Sequence, residues 1–279
     1  MVATPIGNAR DITLRALDLL AGTDAILCED TRRTGKLLAI YGIRRPMISY
    51  HEHNAPRVRP GLVRRLKAGA SLALVSDAGT PLVSDPGYKL VRASLAAGVP
   101  VRPVPGASAP IAALSVSGLP TDRFLFAGFL PARGPARRKA LGRLATLEST
   151  LVLFETARRL PATLSDMAEL LGPREAAIAR ELTKQFEEVR RGTLEHLAAH
   201  YARAQAPKGE IVIVVAPPEE APAASWDEAR IDAALGEALA HMGTKEAAAR
   251  LSTETGLSRR ALYRRAITLK DALKEEGGA

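Results

Sequence analysis

Residues 75–87 have the sequence VSDAGTPLVSDPG and overlap the end of an apolar segment, 70–75, that predicts a buried strand. Eleven consecutive residues of this stretch, 77–87, contain two aspartates, two prolines and two glycines. A simple turn needs only one Gly or Pro beside an Asp or Asn. Two such turns in succession indicate a shaped binding rim, because open α/β sheets bind ligands at the carboxyl ends of their strands.

Strand and helix patterns alternate on both sides of this loop, which predicts an α/β fold with the βα alternation of a parallel sheet. The run IVIVV at 211–215 lacks polar alternation and predicts a strand buried on both faces. Phe124, Phe126 and Phe129 have the spacing of a half-buried strand, and stacking on nucleic-acid bases is their alternative role. The other predicted strands are 25–28, 70–75, 99–104, 150–154 and 176–182. The predicted helices are 14–20 with Asp11 as its cap, 37–41, 58–67, 88–97, 137–147, 160–171 and 194–203.

The last 55 residues differ from the rest, because they follow a Pro- and Ala-rich linker at 216–224 and contain only helical patterns. Helices are predicted at 226–241 and 244–252, followed by a turn at 255–257 and a basic helix capped by Ser258. A tight turn containing Gly between two helices, the second rich in Arg, is typical of a helix-turn-helix. The alternative is a three-helix bundle whose arginines only increase solubility.

The composition is strongly basic, with 39 Lys and Arg residues against 30 Asp and Glu residues and a net charge of +9. Such an excess favours a polyanionic partner, although charge alone does not indicate chemistry. Two clusters, 133–143 and 258–270, contain several basic residues and no acidic residue. A solvated helix face explains either cluster alone, whereas the two together favour binding to nucleic acid.

Cysteine content and hydropathy predict a cytoplasmic protein that does not enter a membrane. The single cysteine, Cys28, forms no intramolecular disulfide, provides no Cys-based zinc site and is predicted to be a core residue. No segment approaches the roughly 18 apolar residues of a membrane span, and the N-terminus has no signal-peptide pattern.

Four polar loops follow predicted strands, at 4–8, 29–32, 76–87 and 105–108. None is a GxGxxG fingerprint or a Walker A loop, which disfavours an NAD- or ATP-dependent enzyme. The loop PGAS at 105–108 precedes a helix start, where backbone N–H groups can bind an anionic group.

The order of eight motifs resembles the ribosomal small-subunit RNA 2′-O-methyltransferase I family of the tetrapyrrole-methylase-like S-adenosylmethionine enzymes. The resemblance covers residues 2–217, and the Arg-rich C-terminal helices match a module that many members append. The motifs are TPIGNARDIT at 4–13, EDTRRTGKLL at 29–38, HEHN at 51–54, SDAGTPLVSDPGY at 76–88, PGASA at 105–109, LPTDRFLFAGFLP at 119–131, ARELTK at 179–184 and KGEIVIVV at 208–215.

This resemblance implies two α/β domains of tetrapyrrole-methylase type, 1–118 and 119–218, with S-adenosyl-L-methionine in the cleft between them. A helix-turn-helix-like module at 224–274 follows. The implied reaction is methylation of the ribose 2′-hydroxyl of a cytidine in the decoding centre of 16S rRNA, within the small ribosomal subunit. Family members are homodimers. The state of the RNA substrate, whether free, in an assembling particle or in the mature subunit, is left open.

Carrying the family pattern over predicts a set of cofactor-binding residues. They are Ile6, Asp77, Gly79, Thr80, Val83, Ser108, Ala109, Thr156, Leu182, Lys208 and Gly209. The wider class has Gly-Asp-Pro where this chain has Gly79-Thr80-Pro81, so Asp77 and Asp85 are the candidates to replace the class aspartate. Only three residues precede TPIGN, which predicts a short first strand.

The reaction needs a group that takes the proton of a weakly nucleophilic hydroxyl. Asp30 and Lys184 are the first candidates, and the alternatives are His51, His53, Asp77 and Glu181. No metal site is predicted, because the two histidines lack a third ligand. The predicted RNA-binding residues are Arg32, Arg33, His51, His53, Asn54, Arg137, Arg138, Arg259, Arg260 and Arg264.

Three other functions remain open at this stage. A methylase of small tetrapyrroles would share the cofactor cleft but would leave the basic excess and the C-terminal module unexplained. A non-catalytic RNA-binding factor for ribosome assembly would retain the fold without the reaction. A DNA-binding regulator is the weakest of these alternatives, since no other motif points to DNA.

Overall fold

The computed structural model describes residues 1–203, 208–219 and 226–276. They form two compact units, Met1–Pro218 and Glu219–Ala279. The strands are β1 (Ala25–Cys28), β2 (Met47–Ser49), β3 (Leu72–Leu74), β4 (Phe124–Phe129), β5 (Thr150–Thr156), β6 (Glu175–Arg180), β7 (Glu188–Thr193) and β8 (Glu210–Val215). The helices are α1 (Leu14–Gly22), α2 (Thr31–Ile40), α3 (Ala55–Lys67), α4 (Tyr88–Ala96), α5 (Ala109–Ser117), α6 (Gly134–Leu144), α7 (Leu160–Leu171), α8 (Leu194–Arg203), α9 (Glu228–Leu239), α10 (Thr244–Thr255) and α11 (Arg259–Glu276).

The first unit contains two sheets. Strands β2, β1 and β3 form a parallel three-stranded sheet, in which Ile26 pairs with Met47 on one side and with Ala73 on the other. The second sheet has the order β4-β5-β8-β6-β7 and is mixed, since only β4 and β5 run parallel. The predicted parallel pattern therefore applies to the first sheet and, in the second sheet, only to the pair of β4 and β5.

The central strand of the second sheet is β8, and each of its residues 211–215 is buried, as the unbroken apolar sequence predicts. One face of this sheet packs on α6, α7 and α8, with Leu153, Leu164 and Ile213 among the buried residues. The other face packs on α5, where Leu114 meets Val152 and Ile6. Helix α5 lies before residue 118 in the chain, within the predicted first domain, yet it packs on the second sheet. The domain boundary at 118 stays a prediction.

Most predicted elements of the first unit are present, with differences at four places. No strand forms at 99–104, where a single bridge between Val2 and Val104 is the only pairing, so that prediction was wrong. Helix α1 is capped by Thr13, whose hydroxyl accepts a hydrogen bond from the Ala16 N–H, and Asp11 lies in a preceding 3-10 turn. Strands β2 and β7 were not predicted, because one is short and the other is polar.

The second unit is a helical module with its own small core. Leu235 of α9, Leu251 of α10 and Leu262 of α11 are buried against one another. Gly256 ends α10 in the left-handed conformation, with φ 69°, which makes the tight turn before the Arg-rich helix. The predicted helix-turn-helix pattern is confirmed in these helices, while residues 220–224 of the predicted linker lie outside the described residues.

Candidate active site

A cavity of about 400 Å³ opens where β1, β3, β5 and β6 end and β8 begins. Ten of the eleven predicted cofactor-binding residues line it. They are Ile6, Asp77, Gly79, Thr80, Val83, Ser108, Ala109, Thr156, Leu182 and Gly209. Lys208, the eleventh, is exposed, and its carbonyl oxygen accepts a hydrogen bond from Arg180 at 3.3 Å.

The loop 76–87 forms one wall and is tied to its neighbours by backbone hydrogen bonds. Thr4 and Gly79 exchange two of them, at 2.9 and 3.0 Å, and the Thr80 hydroxyl donates to the Ala107 carbonyl at 2.9 Å. Gly79 has φ 83°, and a Cβ there would lie 3.1 Å from Cγ2 of Ile6. A close approach in a left-handed conformation requires glycine at this point of the wall.

The opposite wall is the loop after β6, which is held against the start of β8. Glu181 and Thr183 have positive φ angles of 49° and 65°, which non-glycine residues adopt rarely. The Glu181 carboxylate accepts hydrogen bonds from the Glu210 N–H at 3.0 Å and from Lys184 Nζ at 2.8 Å. These contacts hold Leu182 on the cavity wall in an otherwise unfavourable turn.

Each wall also lies close to a further segment of the first unit. The loop 4–8 contacts the wall after β6, where the Asn8 N–H donates to the Thr183 hydroxyl at 3.0 Å and a Cβ on Gly7 would lie 2.5 Å from Cγ of Lys184. Strand β4 approaches the loop 76–87, where a Cβ on Gly128 would lie 3.3 Å from Oγ of Ser84. Small residues therefore allow the loops to approach closely enough to enclose a ligand.

Asp30 and Lys184, the first candidates for the proton acceptor, do not line this cavity. Asp30 caps α2 and forms an ion pair with Arg32 at 2.8 Å; the hydrogen bonds from Arg32 hold the pKa of Asp30 far below its usual range. Burial lowers the pKa of Lys184, but hydrogen bonds with Glu181 and Glu210 raise it above the ordinary value overall. Both side chains are therefore poor proton acceptors near neutral pH, and their geometry indicates a role in holding loops.

Beside the cavity lies a second depression, the outer groove, lined by Arg32, Arg33, His51 and His53, with Asp30 and other acidic residues. The outer groove shares Glu29, Arg33 and Asp77 with the cavity. The Arg32 side chain is 86% exposed despite its ion pair, which leaves it accessible to a polyanion.

Asn54, a predicted RNA-binding residue, uses its side-chain amide in hydrogen bonds within its own turn. Its amide accepts a hydrogen bond from the His51 N–H at 3.0 Å and donates to the Ser49 carbonyl at 2.9 Å, which closes the HEHN turn. Asn54 does not line the outer groove. Nδ1 of His51 is buried without a hydrogen-bond partner among the described residues.

Arg137 and Arg138 both form ion pairs with acidic residues of α7, and their contact with RNA stays a prediction. Arg137 is only 7% exposed, and its Nε lies 2.6 Å from Oδ2 of Asp166. Arg138 pairs with Asp166 at 3.0 Å and also with Glu169. The local sequence suggested an unpaired basic helix face. The acidic partners could not be seen there, because they lie on α7, about 30 residues away along the chain.

The C-terminal module keeps its predicted RNA-binding residues accessible. Arg259, Arg260 and Arg264 are all exposed on α11. Arg265, in contrast, forms ion pairs with Asp232 and Glu228 of α9 and holds the module together. A subset of the basic cluster is therefore available to a partner.

Several cavity residues were not among the predicted site residues, among them Asp85, Phe129, Phe154, Glu155 and Glu210. Asp85 was weighed only as a replacement for the class aspartate. Phe129 and Phe154 lie with ring centroids 5.3 Å apart, and Phe154 is on β5 while Phe129 ends the neighbouring strand β4. The pairing of β4 with β5, which creates this contact, is not readable from local sequence.

The cavity fits the cofactor that the motifs imply. Its volume lies within the range of about 300–1,000 Å³ that is typical of small-molecule sites. Ser108, the N-cap of α5, lines the cavity and forms no side-chain capping bond, and the first N–H groups of a helix have no intrahelical partners. Ile6, Leu182 and Val212 provide apolar surface. Among the described residues, no group of three His, Cys, Asp or Glu side chains is arranged to hold a metal ion.

Comparison with known proteins agrees with this geometry. The family model described as Tetrapyrrole (Corrin/Porphyrin) Methylases matches residues 1–198, and the model described as RsmI C-terminal HTH domain matches residues 225–270. A Mesorhizobium japonicum protein named Ribosomal RNA small subunit methyltransferase I is 53% identical over 279 residues, covering 100% of this chain and 94% of the relative. A protein of the same name from Erythrobacter litoralis is 50% identical and covers 97% of this chain and 94% of the relative.

A solved structure shows the same fold at low identity. The uroporphyrin-III C-methyl transferase from Thermus thermophilus, complexed with S-adenyl homocysteine, is 22% identical with a TM-score of 0.51, and covers 76% of this chain and 94% of that chain. The predicted fold class, two α/β sheets of tetrapyrrole-methylase type plus a helical module, is confirmed. The chain therefore belongs to the tetrapyrrole methylases, a family of S-adenosylmethionine-dependent methyltransferases, and within it to the Ribosomal RNA small subunit methyltransferase I family.

Proposed function

We propose that this enzyme methylates the ribose 2′-hydroxyl of a cytidine in the decoding centre of 16S rRNA. The observation that carries the proposal is the 53% identity, over the full chain, to a protein named Ribosomal RNA small subunit methyltransferase I. The net charge of +9 and the exposed arginines of α11 support an RNA substrate over a small tetrapyrrole. The proposal of a cytidine as the target nucleotide, and of its 2′-hydroxyl as the methylated group, rests on the resemblance of the motifs to the family.

Ten of the predicted cofactor residues line one cavity, which supports the proposal that they bind S-adenosyl-L-methionine there. When bound, the cofactor supplies a methyl group on a positively charged sulfur. The residues of this chain position the reactants, which accounts for much of the rate enhancement when the donor is already activated. Gly79 and Thr80 present their backbone on one wall, and Ile6 and Leu182 exclude water with apolar surface.

The outer groove lies where RNA can reach the cavity, because the two depressions share Glu29, Arg33 and Asp77. Arg32 and Arg33 are 86% and 65% exposed at their side chains, so each can contact phosphate. We assign the target ribose to the cavity mouth and the flanking phosphates to the outer groove. The C-terminal module adds a second contact through α11.

A homodimer belongs to the same proposal. Strand β4 is an edge of the second sheet and exposes Phe124 and Leu125, at 43% and 37%. An exposed apolar edge strand favours association with another chain. Among the described residues, no helix has the length and apolarity needed to cross a membrane. We assign the enzyme to the cytoplasm, where its RNA substrate is made.

The direct test is methyl transfer from labelled S-adenosylmethionine to 30S subunits that lack ribose methylation at the decoding centre, with mapping of the modified nucleotide. We expect label on the 2′-oxygen of one cytidine. Transfer to free RNA or to assembly intermediates, but not to subunits, would change the substrate and keep the reaction. Cofactor binding without transfer to any RNA would contradict the proposal, and transfer to a tetrapyrrole would replace it.

Substitution of Arg259, Arg260 and Arg264 by alanine should weaken binding to the small subunit and leave the dissociation constant for S-adenosylmethionine unchanged. The three side chains are exposed on α11, outside the unit that holds the cavity. A plot of the logarithm of the RNA-binding constant against the logarithm of the salt concentration should become less steep by roughly 2 to 3, because each phosphate contact contributes about 0.7 to 0.9 to the steepness. Removal of residues 223–279 should have the same direction of effect.

The control for this prediction is Lys245→Ala, which removes one exposed charge from α10 of the same module. It should leave both the affinity and the salt dependence close to those of the wild type. Equal RNA affinity of the triple variant, the truncated protein and the wild type would assign the module a role other than RNA binding.

A further inference from the structure

Asp85 lines the cavity, and the motif resemblance names it only as a candidate to replace the class aspartate, with no part in proton transfer. It follows Ser84, whose φ of 64° turns the chain, and precedes Pro86 and Gly87. A Cβ built on Gly128 would lie 3.3 Å from Oγ of Ser84, so this part of the loop approaches β4 of the second sheet. Asp85 lies next to this approach and lines the cavity wall.

The other carboxylates near the cavity are nearly all held by partners. Asp77 accepts a hydrogen bond from the Asp30 N–H at 3.1 Å and pairs with Arg33 at 3.5 Å. Glu155 is buried and accepts from the Thr163 hydroxyl at 2.6 Å, and Glu210 pairs with Lys184 at 2.9 Å. Within the described residues, no ion pair to Asp85 is formed, so its carboxylate remains available to a substrate hydroxyl.

The surroundings of Asp85 make it a better base than an ordinary aspartate. Partial burial and then the negative charge of Glu29 raise the pKa of Asp85 to about 6; a hydrogen bond from Ser76 opposes this rise, and the charge of Asp77 adds a smaller increase. A proton acceptor is most effective when its pKa lies near the working pH. The charged groups that line the same cavity are Glu29, Arg33, Asp77, Glu155 and Glu210.

We propose that Asp85 is the proton acceptor of the methyl-transfer reaction. The inference rests on the proposed function and names the catalytic base of that site. The ribose O2′ attacks the methyl carbon, the O2′ proton passes to the Asp85 carboxylate, and the electron pair of the broken carbon–sulfur bond remains on sulfur. The product is the methyl ether, and Asp85 then releases its proton to water.

The test compares Asp85→Asn with wild type in single-turnover methyl transfer to 30S subunits that lack the modification. We expect the rate to fall by about 100-fold or more, the usual contribution of a general base. The dissociation constant for S-adenosylmethionine, measured by calorimetry without RNA, should change little. The wild-type rate should rise with pH up to about 6 and then level off, as the Asp85 carboxyl loses its proton. Asp85→Glu should restore part of the rate and keep a pH-dependent rise, whereas Asp85→Asn should lose that rise.

A stability measurement separates loss of the base from loss of the fold. Because the folded-state pKa of Asp85 is raised, the charged carboxylate opposes folding above about pH 6, and this penalty disappears as the pH falls. Asp85→Asn should therefore melt at or above the wild-type temperature at pH 8, with a smaller difference at pH 5. The matched control is Asp18→Asn, on the exposed face of α1, which should keep the wild-type rate and profile.

The outcomes distinguish this inference from the proposed function. The role of Asp85 would be overturned if the wild type is active and Asp85→Asn is equally active. The same conclusion would follow if the substitution leaves the pH profile of the rate unchanged. Wild type that binds S-adenosylmethionine and methylates no RNA would overturn the proposed function, and the inference with it. Glu29→Gln provides a further check, because removal of that negative charge should shift the pH inflection to lower pH.

Discussion

Replacement of Arg137 by alanine is expected to lower the free energy of unfolding by about 3 kcal/mol, near the lower end of the cost of breaking a buried ion pair. The substitution leaves the Asp166 carboxylate, whose side chain is 14% exposed, without its closest cation. Arg138 still contacts that carboxylate at 3.0 Å, which limits the loss. Denaturant unfolding monitored by circular dichroism measures the change.

Arg143→Ala is the matched control, since Arg143 lies on the same helix and is exposed. A surface substitution of this kind should change stability by no more than about 0.5 kcal/mol. Binding of the small subunit to Arg137→Ala, measured where the variant is still folded, should show the wild-type salt dependence. A reduced salt slope with unchanged stability would support the prediction that Arg137 contacts RNA.

Gly7→Ala is expected to weaken S-adenosylmethionine binding by about 10-fold or more, since an overpacked contact costs about 1 to 3 kcal/mol. The added methyl group would lie 2.5 Å from Cγ of Lys184 and 2.9 Å from the Leu182 carbonyl oxygen. Lys184 and Leu182 belong to the wall after β6, so relief of the clash must move that wall away from the loop 4–8, which contributes Ile6 to the cavity. Calorimetric titration with S-adenosylmethionine measures the effect.

Gly22→Ala serves as the control for this prediction. A Cβ at Gly22 meets no atom within 4 Å, and neither position has the positive φ that would add backbone strain. Gly22→Ala should bind the cofactor as the wild type does and should be as stable or slightly more stable, because alanine favours helices. Wild-type cofactor affinity in Gly7→Ala would show that the walls do not need this close contact.

Prediction from sequence succeeded where the determining pattern is local. The unbroken apolar run 211–215 predicted a buried strand, and 25–28 and 160–171 predicted elements with the observed bounds. Segment 99–104 failed, because its apolar residues are interrupted by Pro100 and Pro103, which cannot donate to a ladder. Strand β7 was missed, because its residues EVRRGT are polar and only the register with β6 makes them a strand.

For the candidate site, sequence motifs indicated which loops meet but not what each side chain does there. Asp30 and Lys184 looked like free polar groups, and both turned out to be engaged, one by Arg32 and the other by Glu181 and Glu210. Asp85 showed the reverse, since the motifs named it only as a candidate to replace the class aspartate, whereas it lies on the cavity wall without an ion pair to any described residue. Ion pairing depends on residues distant in sequence, so its effect on a pKa is invisible in a local motif.

The amino-acid sequence by itself determined the family, the order of most helices and strands, and the set of loops that form the cavity. It could do so because hydrophobic periodicity, turn residues and motif order are properties of short segments. Only the tertiary structure decided which charges remain available: it buried Arg137 against Asp166 and left Asp85 among other carboxylates. Burial and electrostatic interactions act through space between segments far apart in the chain, and the availability of a charged group follows from them.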